Sequence, residues 1–129
     1  MESQLTRQMI ETKYGRIFQG ENGLVYFYMR DNMSVSGADA KQMVRDVCSL
    51  DESGKVRLVI VPGANKDLSF EAQRYFSIAP GFSRMALVIE NRVQAEIGQF
   101  LVAMMRLLHS PYELKLFHEL HKAEAWLLS

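Results

Sequence analysis

Few residues in this chain are placed by type and spacing to do chemistry. Three histidines, His109, His118 and His121, fall near its end, two of them within HELHK. A zinc-binding H-E-x-x-H helix sets its histidines four apart, on one face, with the glutamate as base. Here they are three apart. No cysteine stands near them, and Glu119 and Glu124 lie on other faces or further along, short of the four or so ligands of a structural metal site. The stretch therefore reads as a polar helix start with an exposed face, and no metal is expected. Asp67, Glu90 and Arg92 follow two apolar runs, at what would be the carboxyl ends of strands, where α/β proteins bind ligands. No histidine or lysine is evidently paired with them to tune a proton transfer, and surface solvation accounts for them equally well. G-x-G-x-x-G, G-x-x-x-x-G-K-[ST] and G-x-S-x-G are all absent, which removes a nucleotide held in either of the first two ways and a nucleophile elbow. The expectation is a non-enzymatic protein without a cofactor, since catalytic groups would have to be assembled by folding alone.

Ser69 is the remaining candidate, in KDLSFEAQRYF. A serine ahead of a helix accepts from free backbone N–H groups and contributes about 1 kcal/mol as a cap. A phosphate on it would also be favoured by the helix dipole. Capping alone explains the residue. With its neighbours it defines a candidate binding edge of Asn65, Lys66, Asp67, Ser69, Glu90, Asn91 and Arg92. A second candidate is AEIGQFLVAMMRLLH, where apolar residues cover more than one stripe. Such a helix is buried by two neighbours, forms a subunit interface, or lines an apolar pocket in which methionines adapt to a flexible tail. Phe100, Met104 and Met105 mark that pocket or interface. Cys48 shares a helical stripe with Ala40, Met43, Val44 and Val47, so it belongs to the core rather than to a reactive site.

The elements that must position these groups alternate in type. Residues 10–19 and 24–30 read as two strands joined by GENG, a hairpin signal. In the second, Val25, Phe27 and Met29 share one face and Leu24, Tyr26 and Tyr28 the other, with the tyrosines expected on a partly wet face or at a partner surface. Ser36 opens a helix, with Asp39 completing a capping box. VRLVIV (56–61) and MALVI (85–89) are nearly continuous apolar runs, as expected for parallel strands covered on both faces. Helical patterns follow each: Leu68, Ala72, Tyr75 and Phe76, then Val93, Ile97, Phe100, Leu101, Met104 and Leu108. A strand at 112–117 and a helix at 119–128 complete an order of β-β-α-β-α-β-α-β-α. This predicts an α/β layered sheet with a parallel centre and the opening hairpin at one side.

Composition bounds the rest. With 129 residues, no repeat and no linker, the chain is read as one domain, 1–129. Fifteen basic and fifteen acidic residues cancel, so there is no general pull towards nucleic acid or anionic lipid. The single cysteine and the lack of a signal-peptide core suit a cytoplasmic protein. The most apolar stretch, 97–108, is interrupted by Arg106 and falls short of the roughly 20 residues that span a bilayer, so no integral membrane association is expected.

KVRLVIVPGA, the FEAQRYF helix, RMALVIEN, SPYELKLF and the closing AEAWLL together resemble the SpoIIAA-like fold shared by STAS domains, over most of the chain. Within that group the chain is similar to small uncharacterised bacterial proteins described as STAS/SEC14-like. The resemblance implies a small bacterial, cytoplasmic α/β module acting through protein contacts, expected as a homodimer, with a lipid or other apolar small molecule as the alternative ligand. In phosphorylated STAS antagonists the loop after the third strand carries an Asp-Ser-Ser-Gly-type motif whose serine accepts phosphate. Here NKDLSFEAQ keeps Asp67 and Ser69, but Leu68 separates them, Phe70 replaces a small residue, and no glycine follows. The resemblance thus carries the fold and a protein-binding role without the phosphosite.

Overall fold

The computed structural model describes residues 6–129. Among them, the chain runs β1 (Thr6–Thr12), β2 (Gly15–Gly20), β3 (Val25–Met29), β4 (Met33–Val35), α1 (Gly37–Leu50), β5 (Val56–Val61), β6 (Lys66–Leu68), α2 (Phe70–Ile78), β7 (Phe82–Val88), α3 (Arg92–Leu107), β8 (Glu113–Phe117) and α4 (Leu120–Leu127). Six strands form one sheet in the order β1-β2-β3-β5-β7-β8. The β1–β2 and β2–β3 pairs are antiparallel, and β3–β5, β5–β7 and β7–β8 are parallel. The expected parallel centre with antiparallel strands at one side is the observed architecture.

The antiparallel side corrects one expectation. Residues 10–19 are not a single strand: the chain reverses at Lys13-Tyr14. Thr12 Oγ1 accepts from the Tyr14 N–H and donates to the Gly15 carbonyl, both at 3.0 Å. Gly15 then takes φ +145°, and a Cβ there would collide with the Tyr28 carbonyl, so only glycine closes this turn against β3. The GENG turn forms as expected, with Asn22 Oδ1 accepting from Leu24 N–H at 3.0 Å and Gly23 at φ 88°.

Two three-residue strands were not anticipated. β4 and β6 pair in parallel, matching Met33 with Lys66 and Val35 with Leu68. Lys66 and Asp67 therefore lie on a strand, and Leu68 ends that strand rather than opening a helix. β7 also begins at Phe82, three residues before the run MALVI.

Two apolar layers flank the sheet. On one face α1, α2 and α3 cover Val25, Phe27, Leu58, Met85, Leu87 and Leu114. Cys48 is half-buried against this layer, and burial raises its thiol pKa. On the other face α4 contributes Ala123 and Leu127 over Leu24, Tyr26, Val59, Ala86 and Val88. The central strands are thus sandwiched, the reason their sequences lack alternation. Tyr26 departs from its expected wet position: it is buried beneath α4, while Tyr28, two residues on, is 36% exposed.

Candidate functional site

The expected binding edge forms where β3, β5 and β7 end. After β3, Asp31 Oδ1 accepts from the Ala64 N–H at 2.8 Å, and Asn32 N–H donates to the Ala64 carbonyl at 2.8 Å. Asn32 and Asn65 both adopt left-handed backbone, φ 58° and 56°, which asparagine tolerates better than most residues. Asn65 Nδ2 donates to Asn32 Oδ1 at 2.7 Å. Two asparagines at neighbouring turns thus stitch the β3–β4 and β5–β6 connections together.

Lys66 completes that junction. Its Nζ donates to the carbonyls of Arg30 and Ala64. Burial lowers its pKa, opposed by the nearby Asp31 charge. The Asp67 side chain is exposed. Ser69 accepts from the Ala72 N–H at 3.0 Å as the N-cap of α2, and its own N–H donates to the Val35 carbonyl at 2.9 Å. The cap expected from the sequence is present, and the same residue anchors the helix start to β4.

Across the edge, Asn91 is the N-cap of α3, its Oδ1 accepting from the Gln94 N–H at 2.9 Å. Glu90 and Arg92 are exposed. Among the described residues, the side chains of Asp67, Glu90 and Arg92 form no hydrogen bond or ion pair. The residue that ties this turn to the rest was missed. Gln94, almost fully buried, accepts from the Glu90 N–H at 2.6 Å and donates to the Gly63 carbonyl at 2.8 Å. It bridges the β5–β6 and β7–α3 connections. Asn91 followed three positions later by Gln94 matches the start pattern of a capped helix, and that signal could have identified it.

The second candidate divides. Between the sheet and α1–α3 lies a cavity of about 100 Å³, and Met105 lines it. Phe100 and Met104 do not. Phe100 and Met105 are five residues apart, about 140° around a helix, so they cannot face one way. Phe100 is 49% exposed, and Met104 is half-buried at the flank. The core side of α3 is instead Gln94, Gly98 and Met105. Gly98 lets α3 lie close to the sheet: a Cβ there would stand 2.7 Å from Leu116 Cδ2, and that side chain would have to move.

All three histidines are exposed. Among the described residues no three His, Cys, Asp or Glu side chains are grouped to hold a metal ion, and no helix is long and apolar enough to cross a membrane.

A family model described as a domain of unknown function, DUF7793, matches residues 18–129. Among solved structures, the chain is similar to an uncharacterised protein of the DUF3478 family with a SpoIIAA-like fold from Shewanella loihica PV-4. The TM-score is 0.54 at 16% identity, over 93% of this chain and 90% of that one. At that identity the likeness carries the fold, and the SpoIIAA-like architecture expected from the sequence is the one found. No curated protein matches the chain.

Proposed function

We propose, for a chain that belongs to the DUF7793 family, a non-enzymatic protein-interaction module whose docking face is the outer side of α3 and whose partner there is a second copy of the chain. The observation that carries this is one line of side chains. Val93, Phe100 and Leu107 recur every seven residues and are 63%, 49% and 77% exposed. Met104, half-buried, and Ile97, half-buried and turned partly towards the cavity beneath α3, fall between them. The steps of four and three along this line are those of a helix-pairing seam, in which apolar side chains interlock with a facing helix. Single exposed apolar residues are ordinary, whereas a continuous row along one helix marks a contact surface. A two-fold axis crossing the seam would let the same row serve both partners.

The polar edge supports the same reading. Ser69 and Asn91 are occupied as caps, and Gln94 and Lys66 as ties between connections. These four side chains are thereby spent on structure, while Asp67, Glu90 and Arg92 stand exposed to solvent. Light scattering at high micromolar concentration tests the proposal. The wild type is expected as a dimer, and Phe100→Glu with Leu107→Glu as a monomer of unchanged helix content. A monomeric wild type at that concentration overturns it.

A further inference from the structure

We propose that Asn22 is a modification site: its spontaneous deamidation, begun by the nitrogen of Gly23, sets a carboxylate against Tyr26 and loosens α4 from the sheet. This goes beyond the docking face on α3, which lies on the other side of the sheet. Three observations lead to it.

The first is reactivity. Asparagine is among the chemically labile residues, and of Asn22, Asn32, Asn65 and Asn91 only Asn22 precedes a glycine. Deamidation begins when the next residue's backbone nitrogen, having lost its proton, attacks the asparagine side-chain carbonyl carbon. Glycine, without a Cβ, leaves that approach unhindered, whereas Met33, Lys66 and Arg92 follow the other three asparagines. A C–N bond forms, the bond to Nδ2 breaks, and ammonia leaves after Nδ2 has taken up a proton in place of the one Gly23 lost. Water then opens the cyclic imide at either carbonyl, giving aspartate or isoaspartate. One water is consumed and one ammonia released, with no oxidant or reductant. Asn22 is exposed to that water.

The second is the turn. Glu21-Asn22-Gly23 is a three-residue hairpin loop, with Gly23 in left-handed backbone at φ 88°. It is closed by the Gly20 N–H to the Leu24 carbonyl at 2.9 Å and by the Gly23 N–H to the Gly20 carbonyl at 3.0 Å. The second bond occupies the attacking nitrogen, so the reaction waits on local opening. Exposed loop tips are where such opening takes least free energy.

The third is what Asn22 touches. Its Nδ2 donates to the Tyr26 hydroxyl at 2.9 Å, and that hydroxyl donates to Glu124 on α4. Its Oδ1 accepts from the Leu24 N–H at 3.0 Å. A carboxylate in its place still accepts from Leu24 but has nothing to donate. Tyr26 has one proton and then faces two carboxylates, only one of which it can serve. The other is left beside a like charge. Isoaspartate also lengthens the main chain by one atom just ahead of Leu24, which lies buried with Tyr26 beneath α4. Either product acts on the contacts that hold a helix with no side-chain cap of its own.

The test is incubation of the full-length protein at mildly alkaline pH, followed by peptide mass spectrometry, with the products separated by ion exchange on their added negative charge. Asn22 is expected to deamidate before Asn32, Asn65 and Asn91. Amide exchange in α4 should be at least about tenfold faster in the isolated product and in Asn22→Asp than in the wild type, the size of one hydrogen bond to a charged group. Exchange in α1, α2 and α3 should stay as it was. In a Tyr26→Phe background, Asn22→Asp should speed α4 exchange less than it does in the wild type. Deamidation of Asn22 no earlier than of the other asparagines overturns the site. Unchanged α4 exchange in both the product and Asn22→Asp overturns the link to α4. Equal effects of Asn22→Asp with and without the Tyr26 hydroxyl overturn the route through Tyr26.

Discussion

On one face of the sheet, three helices lie over a cavity whose lining includes four methionines, and each is started by a side-chain cap: Ser36 for α1, Ser69 for α2 and Asn91 for α3. On the other face lies one helix of eight residues, α4, with no side-chain cap at all. So short a helix is marginal on its own, and it is held by what it touches. Leu127 and Ala123 are fully buried against the sheet. Arg57 Nη1 donates to the Leu127 carbonyl at 3.1 Å and Arg84 Nη1 to the Trp126 carbonyl at 2.7 Å. Arg57 and Arg84 are register partners on β5 and β7, so two strands supply the positive charge that the C-terminal end of a helix favours. The Arg84 guanidinium also stands 5.0 Å from the Trp126 ring centroid. Tyr26 donates its hydroxyl to Glu124, accepts from Asn22 at 2.9 Å, and stacks on Phe18 with ring centroids 4.9 Å apart. The difference is instructive. Helices that begin by local chemistry can tolerate slack beneath them, whereas a helix without a local start needs specific long-range contacts.

That contrast can be broken most directly at Leu127. Leu127→Ala is expected to cost about 3 kcal/mol in urea unfolding, the usual loss for a large aliphatic removed from a filled site. Trp126, one residue away, should report α4 loosening by a red-shifted emission. A loss below about 1 kcal/mol would mean that α4 is not held as described.

Tyr26→Phe comes next, at about 1.5 kcal/mol, because it removes a hydrogen bond to a charged acceptor and leaves Glu124 without its donor. Burial first, and then the bond to Glu124, push the Tyr26 hydroxyl up to about 12. The sign follows from linkage: the unfolded tyrosine ionises first, near pH 10, and draws the equilibrium towards the unfolded chain. This contribution is therefore intact below about pH 10 and lost between there and about pH 12. Stability measured across that window should fall less steeply in Tyr26→Phe than in the wild type.

On the other face, Ser69→Ala should cost about 1 kcal/mol through loss of the α2 cap, measured by urea unfolding. A loss as large as that of Leu127→Ala would show that the start of α2 carries more than a cap. Met105→Leu should be the mildest change, less than about 1 kcal/mol by thermal unfolding, since the cavity it lines absorbs a side chain of similar volume. A Met105→Leu cost above that of Tyr26→Phe would show that this layer is packed as tightly as the other.

Much of the capped face was legible in the sequence. Ser36 with Asp39 reads as a capping box, and both of its hydrogen bonds are present, Ser36 N–H to Asp39 Oδ2 at 2.9 Å and Asp39 N–H to Ser36 Oγ at 3.1 Å. What local pattern could not show is that Tyr14, at the overlooked β1–β2 turn, also donates to Asp39 Oδ1 at 2.7 Å. The Ser36 N–H and this hydroxyl hold the Asp39 carboxyl below the usual carboxylate range. The turn itself was signalled by Gly15, but the residues around it read as continuous strand. β4 and β6 escaped because three residues are too few to display a period of two. Of the candidate edge, Ser69 was legible because a cap is a contact across three residues. Gln94 reaches Gly63 across 31 positions, and no local period encodes that.

The sequence alone determined the alternation of helices with the central strands, where the first two helices begin, and that the central strands are parallel and covered on both sides. Those properties rest on interactions within a few residues or on the simple presence of apolar runs. Alternation established that Leu24, Tyr26 and Tyr28 share a face; only the tertiary structure decided that α4 covers the first two and leaves the third partly open. It also decided that Phe100 faces outward and Met105 inward, and that Arg57 meets the end of a helix 70 residues away. These outcomes depend on how distant elements seat against one another, a choice made by packing and register rather than by any short stretch of chain.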